Sequence, residues 1–244
     1  MIKSVFNWSG GKDSALALYH VMQDEEIHVD RLMTTVNEAY QRVSMHGVRR
    51  ELLQAQARSI GLQVDELLLP EMPSMDTYNQ LMGDKMREIK DADITHSIFG
   101  DIFLEDLKKY REEKLAEAGL KALFPLWKRN TTELIHEFLD LGFKTVVVCV
   151  KTELLPKEFA GRVIDEDFLK DLPSSVDPCG ENGEFHTFVF DGPIFSSPVH
   201  FALGDKVFRS YEAPKDKKEG CYSFSHEQPK EIGFYFQDLK PAEK

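Results

Sequence analysis

Short apolar runs alternate with helically spaced apolar positions along the first half of the chain. Residues 3–8 read as a strand, and Ala15-Leu16-Ala17-Leu18-Tyr19 carry a helix over 13–23. The pattern repeats. Residues 29–36 and 65–69 predict strands, and 46–60 a helix with Val48, Leu52, Leu53, Ala55 and Ala57 on one side and Gly61 as its stop. Further on, 75–90 and 104–118 predict helices, and 96–101 and 121–126 strands. Repeated strand–helix units imply a parallel sheet covered on both faces. Ligands on such sheets sit beyond the carboxyl ends of the strands, where the strand order reverses.

The pattern changes after Trp127. Residues 131–141 predict a helix with Thr131 or Thr132 as cap, and 144–151 a buried strand. Turn-rich sequence follows, containing short strands at 185–190 and 199–201. Residues 232–236 predict an edge strand in an otherwise polar tail. The expected architecture is α/β: a Rossmann-like, parallel-sheet N-terminal domain over 1–127, and a smaller α+β C-terminal domain over 128–244 that binds substrate or acceptor.

Composition narrows the class. At 42% apolar and 30% charged residues, the chain reads as an ordinary soluble globular protein. It has neither a membrane-length apolar run nor a signal-peptide pattern, so a cytoplasmic location is expected. Cys149, Cys179 and Cys221 are far apart and form no C-x-x-C pair, which argues against a disulfide framework or a zinc site. A net charge of −12 argues against extended nucleic-acid binding.

Two segments carry candidate chemistry. Ser9-Gly10-Gly11-Lys12-Asp13-Ser14 lies between the first strand and the first helix. A glycine-rich turn opening a helix presents backbone N–H groups and a positive helix end to an anion, Lys12 adds a full charge, and Ser14 adds a hydroxyl donor. The spacing is not that of the common P-loop. In the second segment, Asp177 to Phe188, Glu181 and Glu184 flank Asn182-Gly183, a turn signal that precedes a strand. Alternation along a strand places Glu184 and His186 on one face, where they could position an amine and take its proton.

The first segment resembles the PP-loop of N-type ATP pyrophosphatases. Taken with the second, and with Ser44 to Arg49, Gly100-Asp101-Ile102, Phe124 to Trp127 and Asp191-Gly192-Pro193, it resembles the diphthine–ammonia ligase family from Ser9 to about Pro198. The family's Glu-Gly-Gly-Glu is here Glu181-Asn182-Gly183-Glu184. The resemblance implies that ATP binds with Mg²⁺, that a substrate carboxylate is adenylated with release of pyrophosphate, and that ammonia then displaces AMP. It implies nucleotide contacts by Ser9, Gly10, Gly11, Lys12, Asp13, Ser14, Thr34, Thr35, His46, Arg49, Gly100 and Asp101, and catalytic roles for Lys12, Glu181, Glu184 and His186. His46 and Arg49 would face the open end of the sheet. Asp101 would meet metal or substrate, or else cap the following helix. The implied acceptor is diphthine on translation elongation factor 2 in an archaeal or eukaryotic source. No segment resembles a glutaminase, so ammonia would come free or from a donor protein. A PP-loop RNA-modifying enzyme and a non-catalytic adenine-nucleotide sensor are the alternatives.

Overall fold

The computed structural model of the 244-residue chain describes residues 1–44, 46–212 and 231–242. Its first half runs β1 (Ile2–Asn7), α1 (Lys12–Met22), β2 (Ile27–Asn37), β3 (Arg42–Val43), α2 (Arg50–Ile60), β4 (Val64–Leu69), α3 (Met75–Asp91), β5 (His96–Ile98), α4 (Glu105–Glu117) and β6 (Lys121–Leu123). β2 pairs in parallel with β1 along 27–33 and with β4 along 32–37, so the two flank it. β5 joins the far side of β1, and β6 joins β5, both parallel. β3 adds antiparallel to Val36 and Asn37, where β2 has outrun β1. The strand order therefore reverses between β1 and β5, and the loops after both strands open into that crevice.

The second half runs α5 (Thr131–Asp140), β7 (Lys144–Lys151), a 3₁₀ turn (Lys157–Phe159), α6 (Glu166–Asp171), β8 (Phe185–Asp191), β9 (Phe201–Glu212) and β10 (Glu231–Pro241). Its strands form an antiparallel sheet in the order β8-β7-β10-β9. One continuous hydrophobic cluster joins the halves, running from Phe6, Leu16 and Leu53 to Val147, Phe168 and Phe188. A smaller cluster of Val5, Met33, Met86, Ile89, Phe99 and Leu115 lies under α3 and α4. The two clusters lie on opposite faces of the parallel sheet, as alternation along β1 requires of Val5 and Phe6.

Several elements differ from expectation. The predicted helix 46–60 begins only at Arg50, because Gly47 turns through φ +69° and Arg49 is extended. The fourth and fifth expected strands, 96–101 and 121–126, shrink to three residues each. Asn130, rather than Thr131 or Thr132, caps α5 by accepting from the Glu133 N–H at 3.1 Å. α6, capped by Asp165, was not anticipated. The short strand at 199–201 is instead the twelve-residue β9, and the expected edge strand at 232–236 is β10, lying inside its sheet between β7 and β9. Both errors share a cause: β9 and β10 satisfy each other over long range, and no local apolar alternation marks that pairing. Cys221 and the charged stretch 215–219 lie outside the described residues. Cys149 and Cys179 are buried and unpaired.

Candidate active site

The turn after β1 is assembled largely by side chains distant in sequence. Gly10 adopts φ +79°, and a Cβ there would fall 2.7 Å from Gln56 Oε1, so any other residue would be strained and would displace the Gln56 amide. Gln56 is fully buried on the apolar face of α2. Its Nε2 donates to the Gly10 carbonyl (3.0 Å) and the Val189 carbonyl (2.6 Å), while its Oε1 accepts from Trp8 Nε1 (3.0 Å). The turn is thus stitched to β1, α2 and β8 at once. Gly11 caps α1, and the Lys12 N–H donates to Thr187 Oγ1 at 3.0 Å. Ser9 Oγ donates to Ser14 Oγ (3.0 Å) and accepts from the Gly11 N–H, and Ser14 Oγ donates to the Gly11 carbonyl (2.8 Å).

The charged groups of the turn converge on a cavity of about 770 Å³. Lys12 Nζ is buried and bonds both carboxylate oxygens of Asp13, at 2.6 and 2.7 Å. Burial alone would lower this ammonium, but Asp13, Cys179 and Glu181 raise it above its ordinary range, so it stays charged. Ser9, Lys12, Asp13, Ser14, Thr34, Thr35, His46, Gly100 and Asp101 all line the cavity, as do Glu181 and His186. Gly100 lies so close to the first turn of α1 that a Cβ would sit 3.0 Å from the Asp13 carbonyl.

The three acids of the 177–184 loop have different surroundings. Asp177 accepts from the Cys179 N–H (2.8 Å) and from Thr131 Oγ1 (2.7 Å). Glu184 is buried, and its oxygens accept from the N–H groups of Asp177 (3.1 Å) and Asn182 (2.8 Å) and from Asn182 Nδ2 (3.1 Å). It folds the loop on itself and does not line the cavity, so it shares no open face with His186. Glu181 reaches the other way and accepts from the Ile102 N–H at 2.8 Å, at the end of the crevice. Burial and the Asp13 charge push it up to about 7. The His186 ring is centred 4.6 Å from that of His46 and tilted 35° to it, and burial pushes the imidazole down to about 3, so it is neutral. His46 is lowered by burial as well, and its Nδ1 lies 3.2 Å from the Thr187 carbonyl.

Other expected contacts fall elsewhere. Arg49 does not face the open end of the sheet. Its guanidinium bonds Asp238 of β10 at 2.8 and 3.1 Å, and Arg42 joins the same carboxylate at 2.8 Å. Phe236 on the same face of β10 packs where a Gly47 side chain would stand. The last strand therefore grips the loop that carries His46. Asp101 does not cap α4, whose cap is Leu104. It pairs with Arg111, and burial raises its carboxyl. Gly10 and Gly11 lie beneath the cavity rather than in its wall. Gln56 escaped the sequence reading, and Arg111, which with Lys108 and Lys109 reads from sequence only as a candidate basic patch or solvated helix face, is instead paired with Asp101. A polar residue on an otherwise apolar helix face was the available signal for Gln56, and nothing local announced that Arg111 would meet Asp101.

Comparison with known proteins finds matches over both halves. The family model described as Diphthamide synthase N-terminal domain matches residues 2–122, and that described as Diphthamide synthase C-terminal domain matches residues 130–222. The chain belongs to the diphthamide synthase family. Human diphthine--ammonia ligase is 25% identical over 232 residues, covering 84% of this chain and 85% of the human one. The bovine protein of the same name gives the same identity and coverage. The fission yeast diphthine--ammonia ligase is 23% identical over 217 residues, and there the match takes in 81% of this chain but 35% of the yeast protein. Within the diphthamide synthase family the loop at 9–14 and the acids at 181 and 184 belong to different domains, and the fold brings the first and the Glu181 carboxylate together. Among the described residues no helix is long and apolar enough to cross a membrane.

Proposed function

We propose that this diphthamide synthase family member is an ATP-dependent amide ligase. One observation carries the reading: Lys12 and Asp13 from one half and Glu181 and His186 from the other line a single cavity at the strand-order reversal. The substrate carboxylate attacks the α-phosphorus of ATP, and the bond to the β-phosphate breaks, giving an acyl-adenylate and pyrophosphate. Lys12, with the first turn of α1 and the hydroxyls of Ser9 and Ser14, stabilises the charge that builds on the phosphate oxygens. A positioned donor of this kind contributes roughly 10²–10³ in rate.

Asp13 and Asp101 are the carboxylates that would hold Mg²⁺. Among the described residues no three ligand side chains form a ready cage. Mg²⁺ commonly takes one or two carboxylates alongside phosphates, and the Asp13 charge raises both Asp101 and Glu181, a concentration of negative charge that a cation relieves. Bound there, the metal supplies charge neutralisation on the phosphates.

In the second step the ammonia nitrogen attacks the acyl carbon, the bond to AMP breaks, and the nitrogen loses a proton. Glu181, the acid of the loop that lines the cavity, takes that proton. His186, neutral and far weaker as a base, orients ammonia by hydrogen bonding.

The acceptor proposed from the names of the relatives is diphthine, and the family resemblance implies that elongation factor 2 carries it. The experiment is product analysis with ATP, Mg²⁺, ammonium and that acceptor. Acceptor-dependent AMP and pyrophosphate support the reading. ADP and phosphate overturn it, and tight nucleotide binding without turnover points to a sensor.

A further inference from the structure

β8 is an edge strand of its sheet, and the turn after β1 lies along its outer side. The Val189 N–H donates to the Gly10 carbonyl at 2.9 Å, and the Lys12 N–H donates to Thr187 Oγ1. Thr187 is buried from solvent yet lines the cavity, beside Lys12 and His186. It stands directly against the turn, since a Cβ on Gly11 would lie 3.3 Å from Thr187 Oγ1. The hydroxyls of Ser9, Ser14 and Thr187 differ in where their protons go. Ser9 Oγ donates to Ser14 Oγ, and Ser14 Oγ donates to the Gly11 carbonyl, so both protons are committed inside the turn. Thr187 Oγ1 accepts from a backbone N–H and, among the described residues, donates to no protein atom. A hydroxyl has one proton to donate besides its lone pairs. A buried donor without a partner calls for one, and the cavity is the open space beside it.

We infer that Thr187 is a phosphate-binding hydroxyl donor, supplied to the nucleotide loop by the C-terminal half. The inference rests on the amide-ligase reading, because it needs ATP phosphates beside Lys12. The first N–H of α1 points at Thr187 and not into the cavity. At this position the positive end of the helix therefore reaches a phosphate through the hydroxyl. Accepting from that N–H polarises the O–H bond and makes its proton a stronger donor. Ser9 and Ser14 must break an existing hydrogen bond to reach a phosphate oxygen, and Thr187 need break none. The same residue meets His46 through its backbone, its carbonyl lying 3.2 Å from Nδ1. Thr187 thus joins the phosphate end of the cavity to the imidazole pair.

Thr187→Val keeps the shape of the side chain and removes the hydroxyl, Thr187→Ala removes it by truncation, and Thr187→Ser restores it. The probes are ATP with Mg²⁺ and adenosine, which has no phosphate, their binding measured by calorimetry. Pyrophosphate release is followed with diphthine-bearing elongation factor 2 and ammonium. Expected for the Val and Ala variants is a rise of roughly tenfold or more in the ATP dissociation constant, as for a lost hydrogen bond to a charged group. Pyrophosphate release slows, adenosine binding is unchanged, and the Ser variant recovers most of both losses. A residue that only caps α1 would lower the melting temperature and leave the ATP dissociation constant unchanged, which overturns the assignment with the ligase reading intact. Equal losses for ATP and adenosine, or a Ser variant as impaired as Val, also overturn it. If neither hydroxyl-less variant folds, Thr187 is a structural tie and the assignment falls. If the wild type forms ADP and phosphate, the ligase reading falls and takes this inference with it.

Discussion

The two loops that meet in the cavity are built in opposite ways. In the turn after β1 the functional groups point outward, Lys12 and Asp13 pairing with each other at the cavity wall while the backbone beneath is fastened by Gln56 and Thr187. In the loop before β8 most of the polar groups turn inward. Asp177 and Glu184 accept from the loop's own N–H groups, and Glu181 alone crosses to the other half. The lesson is that residue type does not assign a role. Three acids within eight positions become two structural ties and one raised carboxylate, according to which N–H groups each one meets.

The strongest way to break this comparison is Lys12→Ala. Turnover should fall by about 10³-fold, read as pyrophosphate release. The melting temperature should hardly move, because Asp13 remains 31% exposed and stays hydrated. A variant that unfolds instead would make Lys12 a structural residue like Glu184.

Glu184→Gln probes the inward loop. It places an NH₂ among three N–H donors, and stability should drop by about 2 kcal/mol, measured by denaturant unfolding, with ATP affinity retained. Unchanged stability together with a lost ammonia step would return Glu184 to the chemistry.

Glu181→Gln sharpens the contrast between the two glutamates through pH. As the proton acceptor, Glu181 makes the amide-forming rate rise with pH through its own titration and level off above it, and the Gln variant loses that limb. Stability runs the other way. A carboxyl raised above its ordinary value near 4.5 contributes stability that is fully present below 4.5 and is lost as pH climbs through about 7. The Gln variant should flatten that decline, and a profile identical to wild type would rule Glu181 out as the group responsible.

The smallest expected effect is that of Asp238→Asn on β10, which loosens Arg42, Arg49 and the loop bearing His46. It should cost about 1 kcal/mol and lower kcat a few-fold without raising the ATP dissociation constant. A rise in that constant would mean that the clasp shapes the nucleotide end rather than the ammonia end.

Legibility followed the range of the interactions. The β1-turn-α1 unit, the repeated strand–helix pattern and the Gly61 stop rest on neighbours within a few residues, so spacing revealed them. The reach of β9 and β10 did not show, because their partners are each other and β7, separated by many positions. Arg49 looked free for an anion because nothing near it in sequence announces Asp238, 189 positions away.

The order of amino acids by itself determined the α/β class, the glycine-rich turn with its lysine, and the presence of acids and imidazole at 181–186. Those features depend on backbone propensity and side-chain chemistry, which are local. Only the tertiary structure decided that Glu181 and not Glu184 faces the cavity and that His186 is neutral. Each of these turns on desolvation or on a hydrogen-bond donor supplied by a distant element, and neither is written in a residue's neighbours.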